Sequence, residues 1–202
     1  FSKKYDSIMK SGDSFIDCSW FDGAKLNFAE NLLFYRDDKV AIEYFCENKI
    51  KGSITYSQLF DKVKCCAIYL KSLGVKEGDV VAGFMPNIPE AIIAMLASSS
   101  IGATWSSCSP DFGINGVLDR FTQIKPKILF VADGYFYKGK KIELSNKIDE
   151  IKSKLSTLKK TIYVSVINSN NIKGCVHWDE MDSDLEPFEF KQLPFSHPLY
   201  IM

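Results

Sequence analysis

Two polar stretches hold the side chains best suited to chemistry. Ser109-Pro110-Asp111-Phe112-Gly113 follows a short strand-like run and precedes a helical pattern, and Tyr135–Lys141 (YFYKGKK) follows an apolar run. Asp111 and Asp119 fall on either side of a helix start. A carboxylate there can do general acid–base work, but it more often serves as a cap or dipole partner. Lys138, Lys140 and Lys141 read as a flexible basic loop, open either to an anionic ligand or simply to solvent. Other chemistries leave no pattern. There is no G-x-x-x-x-G-K-[ST] loop, no G-x-G-x-x-G fingerprint and no G-x-S-x-G elbow; Gly113-Ile114-Asn115-Gly116 is only a near miss. The six cysteines contain no C-x-x-C pair, and Cys65 and Cys66 are adjacent, so they point apart on a helix. His177 and His197 lie away from any cysteine cluster, and no metal site is expected.

Strands and helices must place these stretches. Val80–Phe84 is an apolar run followed by the Pro-bracketed turn Met85–Pro89. Pro89 suits a first helical position. Ala91, Ile92, Met95 and Leu96 predict the apolar stripe of that helix, and Gly102 ends it. Ala103–Ser107 is the next short run. Val117, Leu118, Phe121 and Ile124 stripe a second helix, which Pro126 stops. Ile128–Ala132 is wholly apolar, as in a strand covered on both faces. Asp133-Gly134 turns the chain, Ile148, Ile151 and Leu155 stripe a third helix, and Thr161–Ile167 predicts another strand. This alternation predicts an α/β fold, a mostly parallel sheet flanked by helices. Ligands bind such sheets outside the carboxyl ends of the strands, which puts Ser107–Gly113 at a crevice.

Upstream, Thr55-Tyr56-Ser57-Gln58 fits a capping box. Leu59, Phe60, Val63, Ala67, Leu70 and Leu73 predict the buried stripe behind it, with Gly74 as left-handed cap. Val40–Phe45 and Ser53–Thr55 predict a hairpin with Lys51-Gly52 as its turn. Phe1–Asp13 is polar and weakly patterned, and Ser19–Leu33 reads as an aromatic-anchored loop leading into a short helix. Residues 1–49 are thus expected to be a lead-in segment and hairpin, and residues 50–202 an α/β subdomain. Asn168–Gly174 reads as a loop and the acidic stretch Asp179–Glu189 as solvated surface. The sequence stops inside the strand-like run Leu199–Met202, so truncation is expected.

Composition sets outer limits. The 202 residues are 46% hydrophobic and 13% aromatic, enough for a sizeable core. The 25 basic and 25 acidic side chains balance, which recommends no nucleic-acid partner. No apolar run approaches the roughly 20 residues of a membrane span, and no signal-peptide pattern occurs. Reduced cysteines and a cytoplasmic location are expected.

Several stretches resemble the short-chain acyl-CoA synthetases of the adenylate-forming superfamily. Trp20–Leu32 (WFDGAKLNFAENL) resembles their N-terminal motif, Thr55-Tyr56…Leu59 an early motif, and Met85-Pro86-Asn87…Pro89-Glu90-Ala91 the following turn. Ile101–Gly113 (IGATWSSCSPDFG), Val117–Phe121 (VLDRF) and Tyr137-Lys138-Gly139-Lys140 resemble the acetoacetate-activating branch; the acetate-activating branch is glycine-rich at the Ser109–Gly113 loop.

The resemblance implies a ligase that activates acetoacetate with ATP and Mg²⁺ as an acyl-adenylate and passes it to CoA. It implies that Ser109, Pro110, Asp111, Phe112, Tyr137 and Lys140 lie near CoA, with Lys140 by its phosphates. Tyr137 stands where acetate-activating relatives carry an arginine, so one phosphate contact differs. Trp105 would shape the acyl side of the pocket or fill the core. The family's phosphate loop is expected directly after a segment like His197–Met202, and its magnesium-binding motif and catalytic lysine further on. No catalytic residue is therefore expected among these 202 residues, which alone should adenylate nothing. Acetate or propionate as the acid, or a non-catalytic binding protein on the same fold, are the alternatives. A dinucleotide-binding module is disfavoured because no glycine fingerprint follows a strand. The sequence sets no oligomeric state.

Overall fold

The computed structural model describes residues 1–47, 50–168, 171–181 and 187–202. In chain order the strands and helices are β1 (Ser7–Lys10), β2 (Ser19–Asp22), β3 (Lys25–Leu26), α1 (Phe28–Leu32), β4 (Val40–Cys46), β5 (Ile50–Thr55) and α2 (Tyr56–Ser72). They continue with β6 (Val80–Phe84), α3 (Pro89–Ser100), β7 (Thr104–Cys108), α4 (Ile114–Ile124), β8 (Ile128–Ala132), β9 (Gly134–Tyr137) and β10 (Lys140–Glu143). The last are α5 (Ser145–Lys154), β11 (Lys160–Val164), β12 (Val176–His177), β13 (Leu193–Pro194) and β14 (Tyr200–Ile201).

Six strands pair in parallel in the order β12-β11-β8-β6-β7-β14. The chain enters at β6, passes through α3 to β7, returns through α4 to β8 on the other side, and continues outward to β11 and β12. Alternate residues of the central strands serve two cores. Val81, Ile128 and Phe130 meet the apolar faces of α2 and α3, whereas Ala82, Phe84, Leu129 and Val131 meet those of α4 and α5. Every residue of β8 is fully buried, which explains a run without alternation. Burying each of its large aliphatic side chains stabilises the fold by about 1.5–3 kcal/mol.

Helix ends follow the local chemistry. The Thr55–Gln58 capping box opens α2, with Gln58 N–H donating to the Thr55 hydroxyl and Thr55 N–H to the Gln58 side chain. Gly74 leaves α2 at φ +77° and Gly102 follows α3 at φ +82°. Buried Asn27 caps α1 and donates its amide to Ser99, Ser100 and Lys191 carbonyls, tying the N-terminal segment to the end of α3.

Four expectations change. The Lys51-Gly52 turn lies inside β5, opposite Phe45 and Tyr44, and the reversal falls beyond Cys46. A Cβ at Gly52 would stand 2.5 Å from the Tyr44 hydroxyl across the ladder, so its glycine makes room for that side chain. The Tyr135–Lys141 loop is instead the antiparallel hairpin β9–β10. Its two-residue turn puts Lys138 at φ 49° and Gly139 at φ 73°, the backbone of a type I′ turn. The strand expected to reach Ile167 ends at Val164, because the Val166 and Ile167 amides bond the Asp133 carboxylate. Finally, the α3 stripe holds for Leu96, which is buried, and for Ala91 and Met95, half-buried against the core, but Ile92 is 40% exposed and Ile93, Ala97 and Ser100 are buried as well. The weakly patterned start also forms β1, paired with β2. Of the acidic stretch at 179–189, residues 182–186 lie outside the described residues.

Gly83 in β6 sits under the Trp105 indole, where a Cβ would meet ring carbons at 2.7 Å. Gly83→Ala should therefore destabilise the protein by about 1–3 kcal/mol through overpacking, read as a lower denaturant midpoint. An unchanged midpoint would mean that the ring swings aside freely.

Candidate functional site

A cavity of about 310 Å³ opens at the carboxyl ends of the adjacent strands β8, β6 and β7. Met85–Asn87 leave β6, Ser107–Asp111 leave β7, and Tyr135 and Tyr137 come from the hairpin after β8. From β6 the chain crosses to β7, and from β8 it crosses the other way to β11. The crevice thus stands where the winding of the sheet reverses, the location at which α/β sheets bind ligands.

The crevice brings together Ser109, Pro110, Asp111 and Tyr137 of the residues singled out from the sequence. The loop is tightly folded: the Ser109 hydroxyl donates to the Asp111 carboxylate, and Phe112 N–H bonds the Ser109 carbonyl at 3.2 Å. Lys140 lies outside the lining, exposed on β10 directly opposite Tyr137 in the hairpin register. Phe112 turns away. With Trp105, Ile92, Met95 and Arg120 it lines a separate groove of about 580 Å³ that reaches β14. Trp105 itself is only 6% exposed, with its ring 6.2 Å from that of Phe130. It is a core residue with one edge on the groove. A third, mostly apolar cavity of about 400 Å³ is lined by Ala103 and Leu199, just before β7 and β14. It is therefore at the amino ends, away from the switch point.

Sequence reading missed the side chains that hold the loop. Lys147, on α5, points its ammonium at the Pro110 and Phe112 carbonyls, each at 3.4 Å. Arg120, on α4, bonds the Gly116 carbonyl at 2.8 Å and lays its guanidinium 5.0 Å from the Phe112 ring centre. Lys147 sits 37 residues from Pro110, so no local pattern announces it. Tyr135 and Asn87 also line the crevice. Burial, then the Asp111 carboxylate and Tyr137, push the Tyr135 hydroxyl above the ordinary tyrosine range, leaving a neutral phenol able to donate. Burial likewise raises the Cys108 thiol, against the pull of Arg120. It is a neutral packing group rather than a nucleophile. Asp119 lies exposed on α4, outside the crevice lining. Among the described residues no three His, Cys, Asp or Glu side chains stand together as metal ligands. No described helix is long and apolar enough to cross a membrane.

The family is fixed by comparison. Residues 29–202 match the AMP-binding enzyme family, and the chain belongs to that family. It is 41% identical over 216 aligned residues to the acetoacetyl-CoA synthetase of Macaca fascicularis, covering 100% of this chain and 32% of that protein. It is 39% identical to the acetoacetyl-coenzyme A synthetase of Rhizobium meliloti, covering 98% and 31%. The solved acetoacetyl-CoA synthetase from Streptomyces lividans superposes with a TM-score of 0.92 at 37% identity, over 99% of this chain and 31% of its own. The chain therefore spans about a third of the length of these relatives.

Lys147→Met keeps the aliphatic stem and removes both carbonyl contacts. It should speed backbone amide exchange across 109–113 by about 3- to 10-fold, the scale of one ordinary hydrogen bond, because both contacts are long at 3.4 Å. Hydrogen-exchange mass spectrometry that finds this loop equally protected would overturn the role given to Lys147.

Proposed function

We propose that this chain is the first part of a cytoplasmic, AMP-forming acid–CoA ligase whose acid is acetoacetate. One observation carries the reading. The switch-point crevice gathers Ser109, Pro110, Asp111 and Tyr137 in a chain 37–41% identical, over nearly its whole length, to acetoacetyl-CoA synthetases. In the first half-reaction the acid carboxylate attacks the α-phosphorus of ATP, giving acetoacetyl-adenylate and pyrophosphate. In the second, the CoA thiolate attacks the acyl carbonyl, the thioester forms and AMP leaves. Mg²⁺ would offset charge on the departing pyrophosphate; the described residues include no ligand cluster for it.

The tasks assigned to this chain are binding and orientation. Ser109–Asp111 and Tyr137 form the walls along which CoA lies, and Phe112 borders it from the neighbouring groove. Exposed Lys140 meets its phosphates as a mobile point charge. Trp105 closes the acyl side. Residues 1–49 form the lead-in and the first strand of the hairpin, and residues 50–202 its second strand and the α/β subdomain.

The first experiment is acid-dependent ATP–pyrophosphate exchange on the full-length protein with acetoacetate, acetate and propionate, with residues 1–202 alongside. Preference for acetoacetate and no exchange by the 202-residue piece are expected. Exchange with acetate alone would reassign the acid, and silence with every acid would favour a non-catalytic protein on this fold. Lys140→Ala should raise KM for CoA by about 3- to 10-fold and leave pyrophosphate exchange unchanged, because only the second half-reaction uses CoA. An unchanged KM would remove Lys140 from the site.

A further inference from the structure

Glu47 lies at the tip of the β4–β5 hairpin, yet its carboxylate grips a turn 91 residues further along the chain. Lys138 N–H donates to Oε1 at 2.8 Å and Gly139 N–H donates to Oε2 at 2.8 Å. These are the two consecutive amides of the β9–β10 turn. With both residues at positive φ, the amides lie outside the ladder that pairs Tyr137 with Lys140. One carboxylate bridging two adjacent N–H groups makes a charge-assisted, orienting contact. Glu47 itself adopts φ 46°, a backbone conformation uncommon for a non-glycine residue and kept only where its surroundings impose it.

The hairpin that Glu47 holds carries two of the residues assigned to CoA. Tyr137 and Lys140 flank the gripped turn directly. The Lys138 ammonium lies 5.4 Å from the Tyr137 ring centre, so the turn's placement also bears on that ring. Lys141 steadies the hairpin from its far strand by bonding the Ile167 carbonyl at 3.1 Å.

We propose that Glu47 is a positioning residue: by clamping the Lys138–Gly139 turn it fixes where Tyr137 stands at the crevice and Lys140 stands across the hairpin from it. The functional half of this rests on the ligase reading; the clamp rests on geometry alone. The sign of the effect separates positioning from simple charge. A carboxylate beside lysines that meet phosphate weakens anion binding by repulsion, so its removal as a mere charge would tighten CoA. Removal of a positioning clamp loosens it.

The test uses the full-length protein with Glu47→Ala and Glu47→Asp. Glu47→Ala should speed exchange of the Lys138 and Gly139 amides by about 10-fold. It should also raise KM for CoA by about 3- to 10-fold, with pyrophosphate exchange and KM for ATP unchanged. Glu47→Asp should recover part of both effects. Unchanged amide protection overturns the clamp. A KM for CoA that falls or stays level while protection is lost overturns the positioning role, as does an equal loss in every kinetic step. A wild-type protein that forms no thioester defeats the ligase reading by itself, and amide protection then decides the clamp.

Discussion

The geometry of the crevice depends on one buried carboxylate. Asp133, fully buried at the carboxyl end of β8, accepts the Val166 and Ile167 amides at 2.7 and 3.1 Å. Its own N–H bonds the Val164 carbonyl, and its carbonyl accepts the Leu144 amide just before α5. These four bonds gather three departures from the sheet: β8 into its hairpin, the hairpin into α5, and β11 into the following loop. A carboxylate in a low-dielectric interior is tolerated only when it is this well bonded, and the same requirement makes it a rigid node. Tyr135, Tyr137 and Lys140 leave from one side of it and Lys147 from another.

The opposite wall is tied to the same node. The Ser109–Gly113 loop leaves β7 on the far side of β6, but Lys147 reaches its carbonyls from the first turn of α5. The start of α5 is set by the Leu144–Asp133 bond. Loop and hairpin, the two polar stretches first noticed for their chemistry, are therefore held to one frame rather than hung independently from two strands. Loops that carry ligand contacts need such support, because a misplacement of about an ångström can erase much of a binding or rate advantage.

What was legible in the sequence was whatever local physics dictates. Apolar runs marked the buried parallel strands, Thr55 with Gln58 marked the start of α2, and glycines marked the ends of α2 and α3. The exposure of Ile92, the one residue of the expected α3 stripe that faces outward, has a specific cause. Its Ser98, Ser99 and Ser100 are buried, each hydroxyl donating to a carbonyl one turn back in the same helix. Serine satisfied in this way can enter a core, but an apolar pattern counts it as surface and turns the predicted stripe toward Ile92. The hairpin turn was misplaced for a comparable reason. Glycine after lysine is a turn signal, yet Gly52 serves the Tyr44 ring across the ladder. Lys147, Glu47 and Asp133 act on backbone groups distant in sequence, and nothing in their own neighbourhoods shows it. Only the family resemblance proposes CoA contacts for Ser109–Phe112, Tyr137 and Lys140; residue spacing alone reached only a crevice.

The two spaces at the carboxyl end of the sheet share a thin partition. Ala91 and Ser107 line both the crevice holding Asp111 and Tyr137 and the groove holding Trp105 and Phe112. Both are small. A leucine or phenylalanine at either position would thicken the wall by several ångströms. Ligation of an acid to a thiol requires two ligands of different shape to approach along separate routes and meet at one carbonyl. The switch-point crevice offers one such route and the groove between β7 and β14 the other. On the ligase reading, small side chains at 91 and 107 keep those routes close enough to converge, while Gly83 leaves room for the Trp105 ring behind them.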